Sequence, residues 1–470
     1  MAGSFEGIRE ECGVFGIFGK SNCSEQIYYG ISALQHRGQE SCGIATCHNG
    51  DIEVIKGMGL VNKVFDEENL KGLGGSSGIA HVRYSTAGES KLHSAQPFLT
   101  KGANIKFALA HNGNLVNFWN LRDYFTERGH TFNTSSDTEV ISKILVNEYI
   151  KEHDFVQAIK NMMRYLDGSY SLLILTTDAL YAVRDPFGFR PLLLCEIPNG
   201  YALASEDCAF SLLESKVVRD VKPGEIIKID KGGMTSDRIG KINRRAHCMF
   251  EYVYFARPDS TINGISVYKA RKNLGGLLAR DFPVKADVVS AVPYSGVAAA
   301  IGYSQKSGIP YTEVLLRNRF AGRSFIMPSQ EMRDRVIKTK LIPVEEEIRG
   351  KDIILVDDSI VRGTTMKQIV GMMKQCGAKK VHLRISCPPV IAPCFYGVDM
   401  QQYKQFIANE KTVEEIRKFI GVDSLGYNTI GSLVEAIGIS HNSLCMACVD
   451  EDYPTELGEL RAKQMKLTDA

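Results

Sequence analysis

Near residue 260 the apolar pattern of this chain changes period, and that change restricts the fold more than any other feature. Before it, short β-like runs such as CGVFGIFG, SLLILTT, ALYAVRD, GYALAS and EIIKI recur between Gly, Asp, Asn or Pro turns. Helical patterning interrupts them at about 26–37, 137–151 and 154–166. Grouped strands with few helices predict an antiparallel α+β or layered domain ending near residue 230, with GEIIKID as its last strand. Beyond 260, KNLGGLLARDF reads as a helix, ADVVSAVP as a buried strand and SGVAAAIGYSQKSG as the next helix. IPYTEVLL and KDIILVDDS then read as strands, TTMKQIVGMMKQCGA as a helix and KKVHLRISC as a strand. Such alternation predicts βαβ units and a parallel sheet. The 470 residues leave room for about two to four domains at roughly 100–200 residues each.

With 56 Lys+Arg against 54 Asp+Glu, the chain has no long-range pull toward nucleic acid or an anionic membrane. No stretch of about 18 apolar residues could span a bilayer. The start, MAGSFEGIREECGVFG, lacks a basic segment followed by an apolar run, so a cytoplasmic protein is expected. In that setting the twelve Cys read as thiols, metal ligands or nucleophiles rather than disulfides. Cys23, Cys42, Cys47, Cys195, Cys208, Cys376 and Cys387 stand alone and read as small buried hydrophobes.

ILVDDSIVRGTT is the most informative stretch of the second half. Four apolar residues, Ile353 to Val356, end in two acids, and the small-residue turn from Ser359 to Thr365 opens a helix. A helix N-terminus offers unpaired N–H groups and partial positive charge, Gly363 permits close approach, and Thr364 and Thr365 add hydroxyls, a geometry that suits phosphate. Asp357 and Asp358 fall at the carboxyl edge of the sheet, where two carboxylates can hold ribose hydroxyls or Mg²⁺. The bland reading is a capped helix. The stretch closely resembles the phosphoribosyl pyrophosphate signature of type I phosphoribosyltransferases. That resemblance implies that Asp357 and Asp358 contact the ribose and that Ser359, Arg362, Gly363, Thr364 and Thr365 surround the 5′-phosphate. It also implies a pyrophosphate turn at VPYSG, 292–296, where Tyr294 replaces the Asp usual in related amidotransferases and Ser295 remains as the polar contact. Ser295, Asp357 and Asp358 are then the expected surroundings of one Mg²⁺. The basic, aperiodic stretch 317–340 stands where that family has a closing lid, although a solvated charged surface is the plain alternative.

Alone, Cys12 is a small residue entering a strand. Its company is LQHRGQES at 34–41, HVRYSTAG at 81–88, HNGNL at 111–115, SSDTE at 135–139 and RDPFGFRPL at 184–192. HNGN alone could be a turn, Asp137 an N-cap partner of Ser136, and Arg83 an exposed strand charge. Together, in order and spacing, they resemble the class II glutamine amidotransferases, a branch of the N-terminal-nucleophile hydrolases, over residues 12 to about 230. A glutamine amide is a poor electrophile and needs a strong nucleophile, a base and oxyanion donors. Removal of Met1 to Glu11 would give Cys12 a free α-amino group titrating near 7.7–8.0, able to take up the thiol proton. The resemblance implies an oxyanion hole from Asn112 and Gly113, with Arg83 on the glutamine α-carboxylate and Asp137 on its α-ammonium.

Only the amidophosphoribosyltransferase family joins these two domain types, and the chain resembles its branch with a propeptide and an iron-sulfur cluster. That branch implies a [4Fe-4S] cluster on Cys248, Cys394, Cys445 and Cys448; CMAC alone is ambiguous, and tetrahedral zinc accepts the same ligands. The implied fold is an N-terminal-nucleophile αββα sandwich followed by an α/β type I phosphoribosyltransferase domain. Its divisions are a propeptide at 1–11, a glutaminase domain at 12–235, a linker at 236–260, a phosphoribosyltransferase domain at 261–440 and a C-terminal segment at 441–470 fraying from 465. The implied activity converts glutamine and phosphoribosyl pyrophosphate to 5-phosphoribosylamine, pyrophosphate and glutamate, the first committed step of purine synthesis. Feedback by purine nucleotides and a homotetramer are further implications, without nucleic-acid or membrane partners. The alternatives are a silent sensor of phosphoribosyl pyrophosphate and another glutamine-dependent synthase.

Overall fold

A computed structural model describes residues 12–84, 91–102, 105–240, 244–318 and 340–469. The propeptide 1–11, residues 85–88 of the HVRYSTAG motif and nearly all of the basic 317–340 stretch lie outside the described residues.

The first half is two stacked antiparallel sheets. One has seven strands in the order Lys216–Asp220, Leu193–Ile197, Gly200–Ala204, Gly13–Phe18, Ser77–Arg83, Ser41–His48 and Asp51–Met58. The other has six, in the order Gly233–Arg238, Glu225–Asp230, Ala179–Arg184, Gly168–Thr176, Ile105–Leu115 and Phe98–Gly102. Strand residues alternate faces, so on Gly13–Phe18 Val14 points at the facing sheet while Phe15 and Ile17 point at the helix Cys23–Ala33. On the second sheet Phe107, Leu109 and Leu172 face the helices Asp137–Glu152 and Phe155–Tyr165. Three cores between four layers make the expected αββα sandwich. Burial on both faces also explains why its strands read as nearly continuous apolar runs.

One strand escapes the sequence reading. Gly233–Arg238 pairs with Glu225–Asp230 beyond the expected last strand; as an exposed polar edge it has no apolar alternation to reveal it.

The second half has a parallel sheet in the order Val288–Ala291, Asp352–Asp357, Lys380–Ile385 and Ser424–Tyr427. Helices Val267–Asp281 and Val297–Ser307 cover one face through Leu278, Ala299 and Tyr303, and Thr364–Gln375 covers the other through Met366 and Ile369. IPYTEVLL is not one strand: Tyr311 bridges to Val289, and Leu315–Arg317 pairs instead with Leu341–Pro343. The chain thus leaves the sheet to form the two-stranded base of the 317–340 stretch. Residues near the C-terminus are not frayed, since a helix runs Glu456–Asp469.

The segment joining the halves is built into the second core: Met249, Phe250, Tyr252 and Phe255 are buried around a π-helical turn, Glu251–Phe255. Arg37 bonds Glu206 of its own domain at 2.6 Å and, across the seam, Glu251 at 2.7 Å, all three side chains being buried. Breaking such a buried pair from one side costs about 3–5 kcal/mol.

Candidate functional site

Cys12 precedes the central strand of the first sheet and is almost wholly buried. Its Sγ lies 3.6 Å from the Tyr84 carbonyl, and its own carbonyl accepts from Arg37 Nε at 3.1 Å. Antiparallel pairing of Gly13 with Val82 brings the end of Ser77–Arg83 alongside, so Arg83 is buried beside Cys12 rather than exposed. Ser205 Oγ links this edge to the second sheet, accepting from Val14 N at 3.0 Å and from Asn112 Nδ2 at 3.5 Å. Asn112 is buried, and its Oδ1 has no partner among the described residues. Gly113 adopts φ +148°, and a Cβ there would fall 2.1 Å from the Ser169 carbonyl oxygen, so no side chain fits.

Asp137 opens the helix Asp137–Glu152 behind the N-cap Ser136. Burial opposes its ionisation, but His111 at 3.4 Å and the Leu115 N–H at 3.3 Å outweigh that and hold the carboxyl below its usual range. His81 donates to the His111 carbonyl at 2.9 Å, and burial pushes its imidazole down to about 3, keeping it neutral. Cys12, Arg83, Asn112, Gly113 and Asp137 are therefore gathered at one end of the stacked sheets. The sequence reading missed Glu251, Ser205 and the histidines as neighbours; Arg37 lay in a quoted motif without a role.

In the second domain Asp357 ends its strand, and Gly363, at φ +79°, caps the helix Thr364–Gln375. A cavity of about 290 Å³ lies against this turn, lined by Ser295, Asp357, Asp358, Ser359, Gly363 and Thr365 among others. Arg362 is exposed and Thr364 half-buried outside that lining. Asp358 accepts from the Ser359 hydroxyl. Burial raises both carboxyls; repulsion by Asp358 raises Asp357 further, whereas Ser295 and Ser359 offset part of the effect on Asp358. Buried Arg271 also faces Asp358 while donating to the Tyr252 and Ala256 carbonyls at 2.9 and 2.8 Å. Tyr254, Arg317 and Lys340, none of them singled out from sequence, complete the wall, so both ends of the 317–340 stretch reach this cavity. Tyr294 is exposed beneath the Arg317 guanidinium, 5.4 Å from its ring centroid.

The four distant cysteines converge. Cys248 and Cys445 sit opposite each other on a parallel pair, His247–Cys248 with Leu444–Cys445. Ile391 and Ala392 donate to the Cys448 carbonyl, and Tyr396 N donates to Cys394 Sγ at 3.3 Å. Burial pushes the Cys445 and Cys448 thiols well up, and neighbouring Cys394 and Cys248 add to it. Among the described residues no three His, Cys, Asp or Glu side chains close around a single-ion site. All twelve cysteines are thiols, and six of the seven read as bland are buried.

Comparison with known proteins places the two sites in one lineage. The family model "Glutamine amidotransferase domain" matches residues 81–211 and the "Phosphoribosyl transferase domain" matches 263–424. The chain is 50% identical to an amidophosphoribosyltransferase of Methanocaldococcus jannaschii, covering 95% of this chain and 98% of the relative. It is 43% identical to that of Bacillus subtilis, with 97% of each covered. A solved Bacillus subtilis glutamine phosphoribosylpyrophosphate amidotransferase, complexed with ADP and GMP, superposes with TM-score 0.89 at 43% identity, over 95% of this chain and 98% of that one. With identity of this order running through both halves and their junction, the chain belongs to the amidophosphoribosyltransferase family.

Proposed function

We propose that this chain transfers the amide nitrogen of glutamine to phosphoribosyl pyrophosphate, yielding 5-phosphoribosylamine, pyrophosphate and glutamate at the first step of purine biosynthesis. The observation that carries this reading is the pairing, in one chain, of a buried Cys12 site with a carboxylate-edged cavity at a strand-to-helix turn. Cys12 attacks the amide, with Asn112 and the Gly113 N–H receiving the oxyanion; ammonia leaves and water hydrolyses the thioester. Arg83 and Asp137 hold the amino-acid end of glutamine. Proton uptake by a Cys12 α-amino group requires removal of residues 1–11.

Asp357 and Asp358 grip the ribose hydroxyls, and Ser359, Gly363, Thr364 and Thr365 present N–H and O–H donors to the 5′-phosphate, with Arg362 at the rim. Buried Asp358 and half-buried Asp357, beside Ser295, would hold one Mg²⁺, which would offset pyrophosphate charge. Ammonia then displaces pyrophosphate. The test is to omit each substrate in turn: pyrophosphate release needs both, whereas a sensor binds phosphoribosyl pyrophosphate and releases none.

The converged Cys248, Cys394, Cys445 and Cys448 fit a [4Fe-4S] cluster by donor set and by the N–H bond to sulfur. Its place between domain junction and C-terminal segment makes it a structural staple. Anaerobically purified protein is expected to carry about four iron atoms per chain, and Cys445→Ser to lose them and unfold at lower temperature. Stoichiometric zinc, or an unchanged unfolding midpoint after iron loss, contradicts this.

Closure of 317–340 over the cavity is supported by Arg317 and Lys340 at its mouth. Trypsin cleavage within 317–340 is expected to be suppressed by Mg²⁺ and phosphoribosyl pyrophosphate; unchanged cleavage counts against a lid. Feedback by purine nucleotides is supported by the relative complexed with ADP and GMP. A cytoplasmic homotetramer completes the reading, with solution mass as its check.

A further inference from the structure

The peptide after Gly113 is held from the other domain. Ser169, fully buried, lies opposite Asn114 in the antiparallel register of Ile105–Leu115 with Gly168–Thr176. Its hydroxyl accepts from Asn114 N at 3.1 Å and donates to the Tyr396 carbonyl at 2.7 Å. Asn114 Nδ2 donates to the adjacent Phe395 carbonyl at 2.9 Å. Two further contacts fix Tyr396: Arg190 Nη2 donates to its carbonyl at 2.7 Å, and the Phe189 ring stacks on its ring at 4.3 Å. The loop itself passes against the turn, since a Cβ on Gly397 would lie 3.5 Å from the Gly113 carbonyl carbon.

We propose that Ser169 is a positioning residue for glutamine hydrolysis, fastening the Gly113 turn to a backbone carbonyl of the second domain. The inference rests on the reading of Gly113 as an oxyanion donor. With the Gly113–Asn114 peptide pinned by the Asn114 N–H, the Gly113 N–H can swing only by further twisting a residue already at φ +148°. Among the described residues the Ser169 hydroxyl joins that peptide to the Tyr396 carbonyl by accepting one bond and donating another, beside the direct bond of the Asn114 side chain to Phe395. An oxyanion donor is effective only when it is held where charge develops, so loosening this link affects the transition state more than bound glutamine.

The test uses the full chain with Ser169→Ala. With glutamine, kcat is expected to fall about 10- to 100-fold, part of the roughly 10²–10³-fold worth of a whole oxyanion donor. KM for glutamine should stay within about threefold, and ammonium-driven pyrophosphate release within about twofold. An aldehyde analogue of glutamine, whose adduct with Cys12 places an oxygen in the hole, should bind more weakly by the same factor as kcat, while glutamate binds unchanged. A buried serine with only a structural role would lower both activities together or neither, and either result overturns the proposal. If Ser169→Ala does not fold, Ser169→Cys, whose thiol is a weaker donor and acceptor at the same position, should still lower kcat several-fold without raising KM; an unchanged kcat overturns the proposal. Cys12→Ala run in parallel separates the levels. If it still hydrolyses glutamine, the site reading itself fails; if it is inactive while Ser169→Ala is normal, only the positioning role fails.

Discussion

Cys12→Ala is expected to lose glutamine-dependent pyrophosphate release by at least about 10⁴-fold, because removing the nucleophile of a covalent mechanism forfeits the acyl intermediate outright. Ammonium-driven release should survive nearly intact. The asymmetry follows from placement: Cys12 enters the central strand of one sheet of the sandwich, whereas Asp357, the proposed site of ammonia transfer, ends a strand of a separate sheet. The substitution removes the Sγ contact to the Tyr84 carbonyl and leaves the Cys12 carbonyl available to Arg37. The fold should therefore hold, checked by an unchanged unfolding midpoint. Loss of both activities would show that the two sites cannot be treated as separate chemistries.

Asp357→Asn combined with Asp358→Asn should act in the opposite way. Each carboxylate stands to make charged hydrogen bonds to ribose worth about 1.5–3 kcal/mol, so losing both is expected to cost about 3–6 kcal/mol, roughly 10²- to 10⁴-fold in kcat/KM for phosphoribosyl pyrophosphate. Both glutamine-driven and ammonium-driven synthesis should fall, while glutamine hydrolysis measured without phosphoribosyl pyrophosphate stays unchanged. The amides bring no charge into a site where burial and mutual repulsion already oppose ionisation, so the variant should be no less stable than the parent. An unchanged kcat/KM would remove these carboxylates from substrate binding.

How much of this was legible in the sequence depended on whether a residue's role was local. The 353–365 stretch carries strand, acids, turn and helix N-terminus contiguously, and the structure places the acids and the helix cap beside one cavity. A layered antiparallel domain was legible because the central strands are apolar on both faces, whereas the αββα order came from the family resemblance. The polar edge strand Gly233–Arg238 carried no such pattern and was missed. Residues acting across the chain were also silent: Glu251 meets Arg37 over 214 positions, and Ser169 meets Tyr396 over 227. Nothing in the spacing of Cys248, Cys394 and the CMAC pair announces their convergence; the parallel pairing of Cys248 with Cys445, and the bonds of Ile391 and Ala392 to the Cys448 carbonyl, bring it about. The Arg317 and Lys340 wall was anticipated as part of a basic stretch, yet IPYTEVLL read as a strand because its apolar content is the same whether it pairs in the sheet or forms the base of a hairpin.

We propose that the two sites work as one enzyme, the nitrogen released at Cys12 being consumed at Asp357 without mixing with solvent, since ammonia in water would be protonated. The most direct test supplies glutamine labelled with ¹⁵N at the amide, phosphoribosyl pyrophosphate and Mg²⁺ in an excess of unlabelled ammonium, and reads the amino nitrogen of rapidly quenched product by mass spectrometry. The account predicts product carrying mainly ¹⁵N despite the unlabelled pool. Product whose nitrogen matches the composition of the pool would contradict it.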